Sequence, residues 1–189
     1  MDMIWFTSDL HFNHNKDFIY GPRGFSSIKE HDEEIIRRWN EVVESDDTVF
    51  VLGDLLLNDK KDDDAIKNTI DRLEGNIVIV PGNHDTLRRV DRYVYEACSV
   101  IKVCPPADIL KYKKYQFYLS HYPACTTNFD DDKRFSGRLF SLSGHTHSKE
   151  LFDEKTGSYN VAVDAHDCYP VSIETIIKDL KKYVRKDTL

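Results

Sequence analysis

The chain has 189 residues, 40% apolar and 12% aromatic, with a formal net charge of −7. That is enough for one well-cored domain, and the acidity argues against a protein that coats nucleic acid through a basic surface. Cys98, Cys104, Cys125 and Cys168 form no C-x-x-C pair and read as reduced thiols, while no signal-like leader and no apolar run near the roughly 18 residues of a membrane span occurs, so a cytoplasmic protein is expected.

Six short apolar runs end in histidine, aspartate or asparagine. Residues 4–8 run into Asp9 and His11. A helical period follows over 27–46, with Ile28, Ile35, Ile36, Trp39, Val42 and Val43 on one face and a Ser27–Glu30 capping box at its start. Residues 48–53 lead into Asp54. The helical period returns over 62–74 (Ala65, Ile66, Ile70, Leu73), with Gly75 as a left-handed stop. Residues 77–82 end in Asn83, His84 and Asp85, and a helix over 86–97 should turn Leu87, Val90, Val94 and Ala97 inward. From about Val100 to Val171 hairpin-like strands dominate: 117–120 into His121, 139–144 into His145 and His147, and 159–163 into Asp164 and His166. A last helix over 172–186 carries Ile173, Ile176, Ile177, Leu180 and Val184. The first half reads as βαβ units with parallel strands. The expected class is α/β: two mixed sheets packed as a sandwich, flanked by helices, in a single domain over 1–189. The irregular stretches 12–26 and 122–138 follow candidate ligands and should overhang the site.

Strand ends are where sheet proteins place ligand sites, and six such ends aimed one way would gather a dense polar cluster. Only a cation offsets that desolvation well. Asp9-x-His11 and His145-x-His147 space ligands two apart, which in extended backbone puts both on one side. Gly53 and Gly144 would allow close backbone approach, and the Asn83 amide oxygen suits a hard or borderline cation. Asp9, His11, Asp54, Asn83, His121, His145 and His147 are too many for one four-coordinate structural zinc. Two ions about 3.5–4 Å apart, sharing one carboxylate, would use all seven.

These residues form five ordered blocks: Asp9-Leu10-His11, Gly53-Asp54, Gly82-Asn83-His84-Asp85, His121, and Gly144-His145-Thr146-His147. The set resembles the signature of the calcineurin-like metallophosphoesterase superfamily and spans about three quarters of the chain. Trp5 to Phe12 and Ser120-His121-Tyr122-Pro123 are similar to short phosphoesterases common in bacteria and their phages. The resemblance implies an α/β/β/α sandwich. It implies one metal on Asp9, His11 and His147, a second on Asn83, His121 and His145, and Asp54 bridging. Mn²⁺ is the favoured ion, with Fe, Zn²⁺, Co²⁺ or Ni²⁺ also used in the family. It implies hydrolysis of a phosphomonoester or phosphodiester by a hydroxide activated between two metals, with His84 aiding the leaving oxygen and Asp85 orienting His84. A small nucleotide-like substrate is favoured, with no membrane partner. A nuclease on single-stranded or damaged nucleic acid is the runner-up, although nucleic acid is not favoured. A catalytically silent scaffold of the same fold is the reading from another class. Such scaffolds typically lose the Asn-His pair or a ligand, and this chain keeps them all.

On the flanking loops His14, Tyr20, Arg23, Tyr122, Lys133, Arg134 and Arg138 are candidates for substrate contact. Asp164 and His166 repeat the D-x-H spacing and are candidates to support the ligands from behind. His31, in a charged helix, is expected to be exposed. The aspartate triplets at 62–64 and 130–132 lack calcium-loop spacing.

Overall fold

The computed structural model describes residues 2–57, 65–126 and 139–186. Strands β1 (Ile4–Thr7), β2 (Thr48–Val51), β3 (Asn76–Ile79) and β4 (Val100–Val103) lie parallel in the order β4-β3-β2-β1. The last strand of the chain, β9 (Val171–Ser172), pairs antiparallel with β1 and completes this sheet. The second sheet is β5 (Ala107–Tyr112), β6 (Tyr115–Ser120), β7 (Leu139–Ser143) and β8 (Tyr159–Asn160), in that order. β5–β6 is a hairpin, and Phe152 bridges antiparallel to Tyr159 across a turn closed by Asp153 and Ser158, whereas β6, β7 and β8 run parallel. The hairpin-like second half expected from the sequence therefore holds at these two places and is corrected where β6, β7 and β8 pair. Parallel pairing is what carries the ends of β6 and β7 to the same edge of the sandwich as the ends of β1, β2 and β3.

Helices α1 (Asp17–Tyr20), α2 (Ile28–Val42), α3 (Ala65–Ile70), α4 (Leu87–Glu96) and α5 (Ile173–Lys186) complete the fold. The period-2 alternation of strands divides the core in two. Val49, Val51, Ile77 and Ile79 join α2, α3 and α4 residues such as Ile35, Trp39, Ile70 and Tyr93 in one cluster. From the other face of the same strands, Phe6, Leu52, Val78 and Val80 pack with Phe117, Leu119, Leu142 and Tyr159, together with Ile173, Ile176 and Leu180 of α5. These are two mixed sheets flanked by helices, as the residue pattern predicts.

Helix starts follow local chemistry. Ser27 accepts from the Glu30 amide, but Glu30 reaches back to the Ser26 amide rather than to Ser27, so the capping box is displaced by one residue. Gly75 has φ +88, and a Cβ there would stand 2.9 Å from Val43, so glycine is required at that stop. In α4 the inward face is not the one expected. Leu87 and Val94 are exposed at 86% and 51%, and Tyr93 is fully buried. The helix docks through Tyr93 because its hydroxyl has a buried partner in Asp85. His31, expected in solvent, is also fully buried. Lys133, Arg134, Arg138, both aspartate triplets and the Val184 side chain lie outside the described residues.

Among the described residues no helix is long and apolar enough to cross a membrane, and none of the four cysteines is in a disulfide. Trp39 is fully buried against the first sheet, with its Nε1–H donating to the Glu74 carbonyl at 2.9 Å. Trp39→Ala is expected to cost about 3–5 kcal/mol in urea unfolding; a loss below about 1 kcal/mol would contradict this core assignment.

Candidate metal centre

Beyond the formal strand ends the chain keeps pairing. Asp9 N–H donates to the Gly53 carbonyl, His11 N–H to Asp54 and Phe12 N–H to Leu55, at 3.1, 2.9 and 3.1 Å. Gly144 N–H donates to the His121 carbonyl at 3.0 Å, and Ser8 bridges to Ala162, joining the two sheets at this edge. The loops that bear the candidate ligands are thus fixed by backbone hydrogen bonds.

The backbone there is not extended. Asp9, His11, Asp54, His145 and His147 have φ between 50° and 71°, the left-handed region that side chains other than glycine rarely adopt. The two-apart spacing converges through successive left-handed turns, not through strand pleating, which corrects the extended-backbone premise. Two glycines permit the crowding. At Gly144 a Cβ would lie 2.0 Å from Ser8 Oγ and 2.2 Å from Asp9 Oδ2; at Gly53, 2.5 Å from His121 Nδ1.

Two groups of ligand atoms result. In the first, His11 Nε2 lies 3.2 Å from His147 Nε2, and these lie 4.0 and 3.7 Å from Asp9 Oδ1. In the second, Asn83 Oδ1 lies 2.8 Å from His121 Nε2 and 3.1 Å from His145 Nδ1, and the two histidine nitrogens are 3.1 Å apart. Asp54 Oδ2 stands between them, 3.6 Å from His11 Nε2 and 3.5 Å from His121 Nε2. All seven sequence-predicted ligands therefore meet. Nitrogen and oxygen ligands about 2.0–2.2 Å from a common cation sit about 3–3.5 Å from one another, close to these separations.

The donor chemistry also fits cations. Asp9 is fully buried; its Oδ2 accepts from Ser8 Oγ–H at 2.7 Å and from His145 N–H at 2.8 Å, but Oδ1 has no hydrogen-bond partner. His121 Nδ1–H donates to the Leu52 carbonyl at 2.9 Å. A carbonyl only accepts, so in the neutral ring Nε2 presents its lone pair, aimed at the Asn83 oxygen. Converging lone pairs repel unless positive charge lies between them. Burial, reinforced by the nearby His147 and Arg23, pushes His11 down to about 2, and burial with His121 nearby lowers His145. Both are held in the neutral form that binds metal. His147 is raised, chiefly by its hydrogen bond to Asp164.

His84 sits on the open side of the cluster. Its side chain is 40% exposed, with Nε2 4.0 Å from Asp54 Oδ2 and its ring 5.4 Å from that of His11. Asp85 makes other contacts than those expected. Its Oδ2 accepts from the amides of Asp54 (2.7 Å) and Gly82 (2.9 Å), and its Oδ1 from Tyr93 Oη–H (3.0 Å). Asp85 therefore ties the β2 and β3 exits together instead of orienting the His84 ring, and burial pushes its carboxyl up. His14 is buried against the His11 and Phe18 rings, not presented to solvent. Tyr20 bonds Asp17 within its own helix. Tyr122 is half exposed, with its ring 4.6 Å from His145. Asp164 contacts His147 Nδ1 at 3.1 Å. His166 turns away: its Nε2 bonds the Asn160 carbonyl at 2.8 Å and its ring stacks on Tyr159. Arg23 is buried and spent on protein partners, so the expectation that it meets a phosphate is corrected. Sequence reasoning missed the supporting parts played by Ser8, His31 and Tyr93. Ser8 beside Asp9 was the one local clue; the other two carry no local signal.

The sequence matches the family model described as calcineurin-like phosphoesterase over residues 3–185. This chain belongs to that family. It is 32% identical over 189 residues to an uncharacterised protein of Methanocaldococcus jannaschii, covering 96% of this chain and 93% of that one. It is 28% identical to the gene 66 protein of Mycobacterium phage L5, covering 78% and 79% of the two chains. Its fold is similar to that of a protein of unknown function from Aquifex aeolicus, at a TM-score of 0.70 and 21% identity, covering 94% of this chain and 99% of that one. Family members are phosphoesterases, which makes this chain a hydrolase with candidate metal-binding residues.

Gly144 carries no positive φ, so Gly144→Ala tests the steric demand alone. It is expected to cost about 1–3 kcal/mol from overpacking and to abolish tight Mn²⁺ binding by titration calorimetry. Wild-type affinity in the variant would contradict the crowding at this loop.

Proposed function

We propose that the chain is a dinuclear metal-dependent phosphoesterase that cleaves a phosphomonoester or phosphodiester, with a small nucleotide-like substrate favoured. The observation that carries this reading is the pair of ligand groups sharing the Asp54 carboxylate, one of them holding the unpartnered Asp9 Oδ1. Asp9, His11 and His147 would hold one ion, Asn83, His121 and His145 the other, and Asp54 both; Mn²⁺ is favoured, with Fe, Zn²⁺, Co²⁺ or Ni²⁺ as alternatives. Bound there, two divalent ions lower the pKa of water toward neutrality and offset phosphoryl charge.

The remaining chemistry belongs to the chain. His84 N–H donates to Asp54 Oδ1 at 2.9 Å, which fixes the backbone beneath the imidazole. His84 Nε2 faces the centre from the solvent side, where a departing ester oxygen would lie. Water adds to phosphorus and sheds one proton to solvent, the bond from phosphorus to the leaving oxygen breaks, and His84, entering the step protonated, gives its proton to that oxygen and regains one from solvent. Asp85 holds the Asp54 and Gly82 loops together under this geometry. The half-exposed Tyr122 ring beside His145 offers a face to the organic part of the ester. Arg23, engaged internally, is not available to a substrate phosphate.

A panel of mono-, di- and cyclic phosphoesters plus single-stranded DNA tests the reading. Mn²⁺-dependent hydrolysis, removed by chelator, is expected for a small ester. Faster turnover of DNA would favour a nuclease, and no turnover of any ester would favour a silent scaffold. His84→Ala is expected to keep both metals by elemental analysis and to lose about 10²–10⁴-fold in kcat on poor leaving groups. Unchanged kcat would remove His84 from the reaction.

A further inference from the structure

Arg23 enters the fold from the loop after α1, and its side chain is only 2% exposed. A guanidinium has five N–H donors and no acceptor, and every donor here faces an acceptor. Nε–H donates to Asp164 Oδ1 at 2.9 Å. One Nη2–H donates to Asp164 Oδ2 at 2.8 Å and the other to the Asp9 carbonyl at 2.8 Å. Nη1 donates to His31 Nε2 at 2.8 Å, with its second hydrogen toward the Leu10 carbonyl at 3.4 Å. Because arginine only donates, His31 Nε2 must accept. His31 Nδ1 then carries its proton to Asp32 at 2.7 Å, and Asp32 in turn accepts from the Asn13 amide at 2.9 Å.

The same counting fixes His147. Its Nδ1 lies 3.1 Å from Asp164 Oδ2 and 3.3 Å from Arg23 Nη2. Both Nη2 hydrogens are already used, so the histidine nitrogen is the donor and Asp164 the acceptor. With the proton on Nδ1, Nε2 is left as a lone pair facing His11 Nε2 and Asp9 Oδ1. A carboxylate behind a metal-facing histidine sets both its tautomer and its ring orientation. Here that carboxylate is itself held bidentately by a buried arginine, the strong form of the pairing. The guanidinium also grips the carbonyls of Asp9 and Leu10, where Asp9 has φ 57°.

We propose that Arg23 is a positioning residue for the Asp9–His11–His147 half of the metal centre: through Asp164 it sets the His147 tautomer, and through two carbonyls it pins the strained Asp9 loop. The second half has a separate support in Leu52, behind His121, and meets this network where His145 N–H donates to Asp9 Oδ2 at 2.8 Å. Arg23, in the stretch at 12–26 that the sequence expects to overhang the site, works as a brace from behind. The proposal rests on the metal reading above.

Two variants and one spectrum test it. Arg23→Lys keeps the charge but has three donors for four partners and no fork for the bidentate grip on Asp164, and Asp164→Asn is isosteric but can donate where Asp164 accepts. In Mn²⁺ titration calorimetry wild type should bind two ions. Each variant should weaken one of the two by about 10–100-fold and leave the other unchanged. Two ions bound as tightly as in wild type would overturn the proposal. The spectrum needs neither metal nor a variant that folds: in metal-free ¹⁵N-histidine-labelled wild type at alkaline pH, His147 should carry its proton on Nδ1. A proton on Nε2 overturns the proposal. Absence of Mn²⁺ binding in wild type, with Nδ1 protonated, would refute the metal centre while leaving Arg23 as the residue that sets His147.

Discussion

The buried Asp9 carboxylate is the constraint around which the rest of the molecule is organised. One of its oxygens is bonded by the Ser8 hydroxyl and the His145 amide, and the other has no hydrogen-bond partner although the residue is fully buried. A buried acceptor left alone costs about 1–3 kcal/mol. Around it lie imidazole nitrogens whose other ring nitrogens already donate to Leu52 and Asp164, so more lone pairs point at the same space. A protein tolerates such convergence where a cation supplies the missing charge.

Building that cluster imposes backbone costs. Five of its candidate ligands sit in the left-handed region, at roughly 1–2 kcal/mol per residue for chains of L-amino acids. The fold sustains the cost by zipping the β1 and β2 exits together, by tying the β2 and β3 exits through Asp85, and by omitting the Cβ at Gly53 and Gly144. Strain confined to a functional site and supported by the surrounding core is a familiar division of labour. The two core clusters, one on each face of the first sheet, supply that support.

The two halves of the centre are held differently. One leans on a backbone carbonyl, the Leu52 acceptor behind His121. The other leans on a relay of the Asp32, His31, Arg23 and Asp164 side chains, begun by the Asn13 backbone N–H and ending on His147. A carbonyl inside a sheet is rigid. A relay of side chains depends on each member, which makes that half of the centre the one that substitution can tune. His84 and Tyr122 remain on the open side, away from the side chains that brace the cluster from behind.

Much of this was readable from residue order. Period-2 and period-3.6 runs placed the first three strands, the helices other than α1 and the seven candidate ligands, because side-chain periodicity and terminal polar residues are local properties of the chain. Gly53 and Gly144 could be assigned to close approach because a missing Cβ is equally local. The α4 face, the depth of His31, the contacts of Asp85 and the spent donors of Arg23 were not readable. Each depends on what another segment presents: Tyr93 turns inward because Asp85 waits there, and Arg23 is buried because Asp164, 141 residues later, arrives beside it. The sequence by itself determined which atoms could bind a cation; the tertiary structure decided how they are aimed. Ligand identity is written residue by residue, whereas tautomer, backbone strain and saturated hydrogen bonding exist only once distant segments touch.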